Sequence, residues 1–239
     1  MSVLWNPWHG CEKYSEGCEH CYVYRIDKVG ERDSREVRLN STFTYPVQKG
    51  RGGYKIKSGE TVYTCFSSDF FLDRADAWRG EAWHMIAERR DLKFIMFTKR
   101  VGRIAECLPE DWDDGSAYEH VTIGCTCENQ RRADERMPVF LSLPIKNRMV
   151  ICEPLLEKID LTPYLDERIQ SVSAGGESGP DARVCDYDWV LCLRDACKAA
   201  GVLFNFHQTG AKFCKDGKIY TIPRKHQQEQ ARRAGIDIE

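Results

Sequence analysis

Short apolar runs recur along the chain at Val62–Phe66, Phe94–Phe97, Val121–Gly124, Met149–Cys152, Ser171–Ala174 and Val202–Phe206. Each is too short for a helix and too continuous for a solvent-facing strand, so each reads as a buried strand. They return about every 30 residues, the length of a βαβ unit. Between them, apolar positions recur at helical spacing. Trp78, Ala82, Met85 and Ile86 form one stripe; Trp189, Val190, Leu193, Ala196, Cys197 and Ala200 form a second, with Gly201 placed to stop it. Strand and helix in alternation predict an α/β fold with a parallel sheet flanked by helices. A further strand at Val3–Trp5 extends the series. No GxGxxG follows an early strand, so the expectation is a partial or minimal (β/α) TIM-like barrel of about six to seven parallel strands.

A single domain over residues 1–239 is expected. Residues 25–60 break the rhythm, with mixed charge over Arg25–Arg38 and a basic, Gly-rich Lys49–Gly53. This predicts a helix after the first cysteine cluster, then an exposed charged insertion. Residues 212–239 read as a polar C-terminal extension, with a hairpin around Lys215-Asp216-Gly217-Lys218 and a charged helix after Pro223.

Charge changes the picture little. The 35 Lys and Arg face 37 Asp and Glu, a net charge of −2, which excludes a strongly cationic nucleic-acid coat but not a local basic groove. No apolar run approaches the roughly 18 residues of a membrane span, and the first residues carry no basic-then-apolar leader. A cytoplasmic protein without a membrane partner is expected. Cysteine changes the picture more. Twelve cysteines in 239 residues are many for a reducing compartment, where a clustered set points to metal binding or catalysis rather than disulfides.

The cluster lies near the N-terminus, in Trp5-Asn6-Pro7-Trp8-His9-Gly10-Cys11 and Ser15-Glu16-Gly17-Cys18-Glu19-His20-Cys21-Tyr22. Cys11, Cys18 and Cys21 are spaced Cys-x6-Cys-x2-Cys. Three thiolates on one short loop suit three irons of a [4Fe–4S] cluster and leave the fourth open, which is a catalytic arrangement. Zinc held by these cysteines with His9 or His20 is the alternative; it lacks the second ligand pair usual in structural zinc sites.

This loop after a first strand, with an aromatic residue straight after the last cysteine, resembles the radical S-adenosylmethionine (SAM) superfamily. Its spacing is closer to a divergent, phage-associated three-cysteine-motif family similar to spore photoproduct lyase-like enzymes. Further segments resemble that family in order: Ser67-Ser68-Asp69-Phe70-Phe71, Phe97-Thr98-Lys99-Arg100, Gly124-Cys125-Thr126-Cys127-Glu128-Asn129-Gln130, Cys152-Glu153-Pro154-Leu155-Leu156 and Gly175-Gly176-Glu177-Ser178-Gly179-Pro180. The last strand ends Phe206-His207-Gln208-Thr209-Gly210, where the family has Lys-Gln-Trp-Gly.

The resemblance implies a radical SAM fold and an enzyme that cleaves SAM reductively and abstracts a substrate hydrogen. Cys11, Cys18 and Cys21 would hold the [4Fe–4S] cluster. Tyr22, Ser67, Ser68, Asp69, Thr126, Glu128, Gly175, Gly176 and Glu177 would bind SAM. Lys99, Arg100, Glu153 and His207 would serve the substrate or its protons. It also implies a flavodoxin- or ferredoxin-type electron donor, a nucleobase, nucleotide or DNA substrate, and a three-Cys-motif partner protein. Plainer readings stand beside these. Asp69 fits a helix cap, Thr98-Lys99-Arg100 a solvated helix start, Glu153 a strand end before proline, and Gly175-Gly176 a tight turn. His207 also fits a hydrogen-bonded core histidine. Arg131, Arg132 and Arg136 could line a phosphate groove or form one solvated helix face with Asp134 and Glu135. Cys65, Cys125, Cys127 and Cys152 read as core thiols. A non-catalytic zinc- or Fe–S-binding nucleic-acid module is the alternative from another class.

Overall fold

The structure, a computed structural model, describes residues 2–239. Its main sheet is built from β1 (Ser2–Trp5), β2 (Thr61–Thr64), β3 (Lys93–Thr98), β4 (Val121–Thr126), β5 (Asn147–Cys152), β6 (Ile169–Gly175) and, after a short β7 (Val184–Asp186) that joins another sheet, β8 (Leu203–Gln208). The seven strands lie in the order β1-β2-β3-β4-β5-β6-β8, and the sheet is parallel. Strand order that follows chain order is the topology of a (β/α) barrel, so the fold is mixed α/β and compatible with a partial TIM-like barrel. The strands begin and end within a few residues of the apolar runs. No described helix is long and apolar enough to cross a membrane.

The chain divides into two compact units: residues 1–13, 23–124 and 143–147 form the first, and residues 14–22, 125–142 and 148–239 the second. In the first, Val62, Phe94, Met96 and Ile123 are buried on the strands. Helix α2 (Asp76–Glu88) turns Ala82, Trp83, Met85 and Ile86 inward, close to the predicted stripe, and Trp83 Nε1 donates to Cys107 O at 2.7 Å. Trp83, Trp112 and Tyr118 then interlock, the last two stacked at 4.7 Å.

The predicted insertion differs from expectation. Helix α1 (Tyr22–Val29) follows the cysteine loop as expected, but residues beyond it are not simply exposed. Phe43 and Ile56 are buried, and Trp5 Nε1 donates to Phe43 O at 2.9 Å. Arg89, itself buried, donates to Pro46 O and to Ile56 O, so it fastens the insertion's backbone to the end of α2. Two apolar residues in a charged stretch have no periodicity to announce them; only tertiary packing gives them partners.

In the second unit, α5 (Tyr187–Ala200) buries Val190, Leu193 and Cys197. Asp186 caps its start by accepting from Asp188 N at 2.9 Å, and Gly201 ends it at φ +68°, a left-handed conformation that glycine adopts freely. The tail forms the expected antiparallel hairpin of β9 (Lys212–Lys215) and β10 (Lys218–Thr221), then α6 (Arg224–Arg233). Phe206 packs on Phe213 of the hairpin at 5.9 Å. The last residues pair with β8 through Phe204 and Ile238, covering that strand's outer edge.

Candidate functional site

In the first unit, the segment that leaves β1 and carries Cys11 has its backbone tied down at nearly every residue. Gly10 sits at φ +96°, and a Cβ there would lie 2.6 Å from Glu36 O, so no other residue fits. Gly10 N donates to Ser67 O at 3.2 Å and Cys11 N to Ser34 O at 2.7 Å. The Ser68 hydroxyl donates to Gly10 O, the Tyr24 hydroxyl to Cys11 O, and Arg100 Nη2 to Glu12 O at 2.8 Å. Beneath them His9 Nε2 meets the fully buried Asp27 at 2.8 Å, and the Ser34 hydroxyl donates to the same carboxylate at 2.7 Å. Burial alone would raise the Asp27 carboxyl; the hydrogen bonds from Ser34 and His9 outweigh it, so it lies below its usual value.

Of the predicted SAM residues of this unit, Asp69 gathers the predicted catalytic residues Lys99 and Arg100. Asp69 is buried and accepts from Phe71 N at 2.9 Å, the Thr98 hydroxyl at 2.8 Å, Lys99 N at 3.2 Å and Arg100 Nη1 at 3.4 Å. Four donors fill its acceptor capacity. Asp69 therefore joins the ends of β2 and β3 and fixes Arg100, a wider task than capping a helix. The Ser67 hydroxyl donates to Trp8 O at 3.1 Å. Both serine hydroxyls keep lone pairs that accept further hydrogen bonds. Lys99 is half-buried at the end of β3, whereas Thr98 and Arg100 are buried, which is not a solvated helix start.

In the second unit, Cys18 ends a 3-10 turn that begins after Ser15, and Cys18 N donates to Ser15 O at 2.8 Å. This segment rests on Glu128, which no solvent reaches. Glu128 accepts from the Ser15 hydroxyl, from Gly17 N at 3.3 Å and from Arg136 Nη1 at 2.7 Å. Arg136, on α4 (Gln130–Ser142), also donates to Thr126 O at 2.5 Å and to Ser15 Oγ at 3.0 Å. Arg183 makes a second anchor: it donates to Glu16 O at 2.9 Å, to Glu177 at 3.0 Å and to Glu19 at 3.2 Å. The hydrogen bond from Arg132 holds the Glu16 carboxyl down at about 2, helped by the charge of Arg131. Thr126, Glu128 and Glu177 thus converge on the segment that carries Cys18 and Cys21. The expected solvated arginine face is corrected for Arg136, which is buried against Glu128, while Arg131 and Arg132 are engaged by Glu16.

Glu153 and His207 also come together, at the ends of β5 and β8. Glu153 accepts from the Ser173 hydroxyl at 2.6 Å and meets His207 Nδ1 at 2.7 Å. A Cβ on Gly175 would lie 3.1 Å from Glu153 Oε2, and one on Gly176 would lie 2.6 Å from Thr209 O. These glycines admit neighbouring protein atoms, and a turn preference alone does not explain them. Tyr22 opens α1 and is exposed.

Cys11, Cys18 and Cys21 are half-buried, as are Cys192 and Cys214; the other seven cysteines are buried. Burial pushes Cys65 and Cys152 well above the usual thiol value and Cys185 up to about 12. Among the described residues no three His, Cys, Asp or Glu side chains are grouped as a ready metal site. The donor chemistry still fits an iron–sulfur cluster, since the loop's three cysteines form no disulfide and are only half-buried, and thiolates are the ligands such clusters take. Arg183, Ser15 and Arg136 escaped the sequence reading as anchors. The only hint lay in arginines placed a few residues from the Glu of Gly-Gly-Glu and of Cys-Glu-Asn.

A family model described as a protein of unknown function (DUF5131) matches residues 1–236. No curated protein and no solved structure matches the chain.

Proposed function

We propose that this chain, which belongs to the DUF5131 family, is a radical SAM enzyme that holds a [4Fe–4S] cluster on Cys11, Cys18 and Cys21. One observation carries the reading. Three half-buried cysteines sit on a loop whose backbone is fastened by buried polar side chains, Asp27 through Ser34 on one part and Glu128 with Arg136 on the other. Burying such groups is costly unless each is bonded. A loop with only a packing role does not need that investment; a loop that must present thiolates in fixed positions does.

A bound cluster would supply one electron for reductive cleavage of SAM to a 5′-deoxyadenosyl radical that takes a substrate hydrogen. The chain's own residues then have separate duties. The backbone clamps on Gly10, Cys11 and Gly17 set where the thiols point. Arg100 is held by Asp69 and Glu12 O and supplies fixed positive charge beside the first of these residues. The lone pairs of Ser67 and Ser68 remain as acceptors for a ligand ammonium. Cytoplasmic location, a flavodoxin- or ferredoxin-type donor, a three-Cys-motif partner protein and a nucleobase, nucleotide or DNA substrate complete the proposal.

The test is purification without oxygen, reconstitution with iron and sulfide, and assay of 5′-deoxyadenosine by mass spectrometry after adding dithionite and SAM. Iron and sulfide near four each per chain and 5′-deoxyadenosine that vanishes in Cys18→Ala are expected. One zinc per chain and no iron would overturn the reading in favour of a zinc-bearing module.

A further inference from the structure

Strand β8 of the second unit keeps one row of its side chains exposed. Phe204 and Phe206 of β8 are buried on the side of Tyr187 and Phe213, so Leu203, Asn205 and His207 alternate to the other side, where all three are exposed. The register pairs Ser173 of β6 with Ile151 of β5 and with Asn205, so the three share one face, on which Ile151 and Ser173 are buried and Asn205 is exposed. Glu153 and His207 follow two residues after Ile151 and Asn205, at the strand ends where α/β proteins place their chemistry.

Here the groups are arranged in series. The Ser173 hydroxyl occupies one oxygen of Glu153, at 2.6 Å, and the other faces His207 Nδ1 at 2.7 Å. The carboxylate therefore fixes a proton on Nδ1 and leaves the lone pair of the neutral ring on Nε2. The Gln228 amide, on α6, donates to that atom at 3.1 Å and is itself exposed. Gly175 has no side chain because one would crowd Glu153 Oε2. A carboxylate that fixes one imidazole nitrogen while the other meets only an exposed amide is the arrangement of a general base or acid. An ordinary core histidine would be enclosed, but the His207 side chain is 45% exposed.

We propose that Glu153 and His207 form a proton-transfer dyad, in which His207 Nε2 takes a proton from, or returns one to, a substrate carrying a protic group such as a hydroxyl, amine or ring N–H, with Glu153 as the positioning residue. Gln228 holds the site in the free protein and gives way to the substrate. The hydrogen bond that His207 donates to Glu153 raises the His207 pKa above its usual value, against the lowering effect of burial. Glu153 is the charged group that acts on the ring. Strand β6 offers the neutral Ser173, and α6 the neutral Gln228, its Glu229 being paired with His226 and Arg233.

The probe is 5-nitrobenzisoxazole. A base removes its ring C–H proton, the C–H electrons complete a nitrile, the N–O bond breaks, and a coloured cyanonitrophenolate leaves; no cofactor takes part. The assay needs neither iron nor SAM, so it stands or falls apart from the cluster reading. The full chain should accelerate release with a rate that rises with pH through the His207 pKa. His207→Asn should lose about tenfold or more, in keeping with a positioned base. Glu153→Gln should shift the profile to lower pH, which a merely structural role would not do. His226→Asn, altering a half-exposed histidine–carboxylate pair that bonds neither Glu153 nor His207, should leave the rate unchanged. A His207→Asn variant that unfolds at the same temperature as the parent and keeps its rate, or a Glu153→Gln profile that does not move, would overturn the proposal.

Discussion

Glu128 has a fully buried carboxylate whose charge is met by the equally enclosed guanidinium of Arg136. Such a pair adds little net stability over an apolar pair, because both charges are stripped of water. Removing one partner is another matter. Arg136→Ala should destabilise the second unit by about 3–5 kcal/mol, the usual cost of leaving a buried charge alone. Arg136→Met with Glu128→Leu should recover most of that loss, since neither charge remains. The double variant separates stability from site formation: it still lacks the acceptor for Gly17 N and the Ser15 hydroxyl. Urea unfolding should therefore show a restored midpoint, while iron retained after reconstitution stays low. Iron retention equal to the parent's would refute the view that Glu128 shapes the cysteine segment.

At the scale of elements, the strands were legible because each buried strand announces itself by a short apolar run, and α2 and α5 because their inward residues repeat at helical spacing. The three cysteines were legible as a motif, and Glu153 with His207 as strand-end residues. What was not legible had tertiary causes. The pairing of Glu153 with His207 joins positions 54 apart, and Arg183 meets Glu16 from 167 residues away. Asp69, read as a SAM residue, also fitted a helix cap because local sequence shows only its near donor, Phe71 N, and not Thr98 or Arg100. The insertion is the sharpest case, because its charge pattern says surface while Ile56 is 1% exposed. Ile56→Ala should then cost about 2–5 kcal/mol, the range for a buried large-to-small change. An exposed isoleucine would cost less than about 0.5 kcal/mol. Chemical denaturation distinguishes the two, and a change within the smaller range would return the insertion to the surface.

At the scale of the whole molecule, charge balance decides how nucleic acid would be met. Basic and acidic residues nearly cancel, at 35 against 37, and around the arginines near the cysteine segment the cancellation is also local. Arg131 and Arg132 are engaged by Glu16, Arg136 by Glu128, and Arg183 by Glu177 and Glu19. Each would have to break an ion pair before it could neutralise a phosphate. Affinity for bulk duplex DNA comes largely from released counterions, so arginines already engaged by carboxylates mean weak binding and a shallow dependence on salt. The protein should bind a random duplex no more tightly than about 10⁻⁴–10⁻⁶ M at physiological salt, with a log–log salt slope well short of the −5 or steeper that six phosphate contacts give. Fluorescence anisotropy at several salt concentrations measures both. Tight, steeply salt-dependent binding would mean that the arginine pairs open on contact and that DNA is held along its backbone. The weak, shallow result directs the substrate search to single nucleotides and other small molecules with protic groups, which the exposed His207 side chain can meet without a cationic groove.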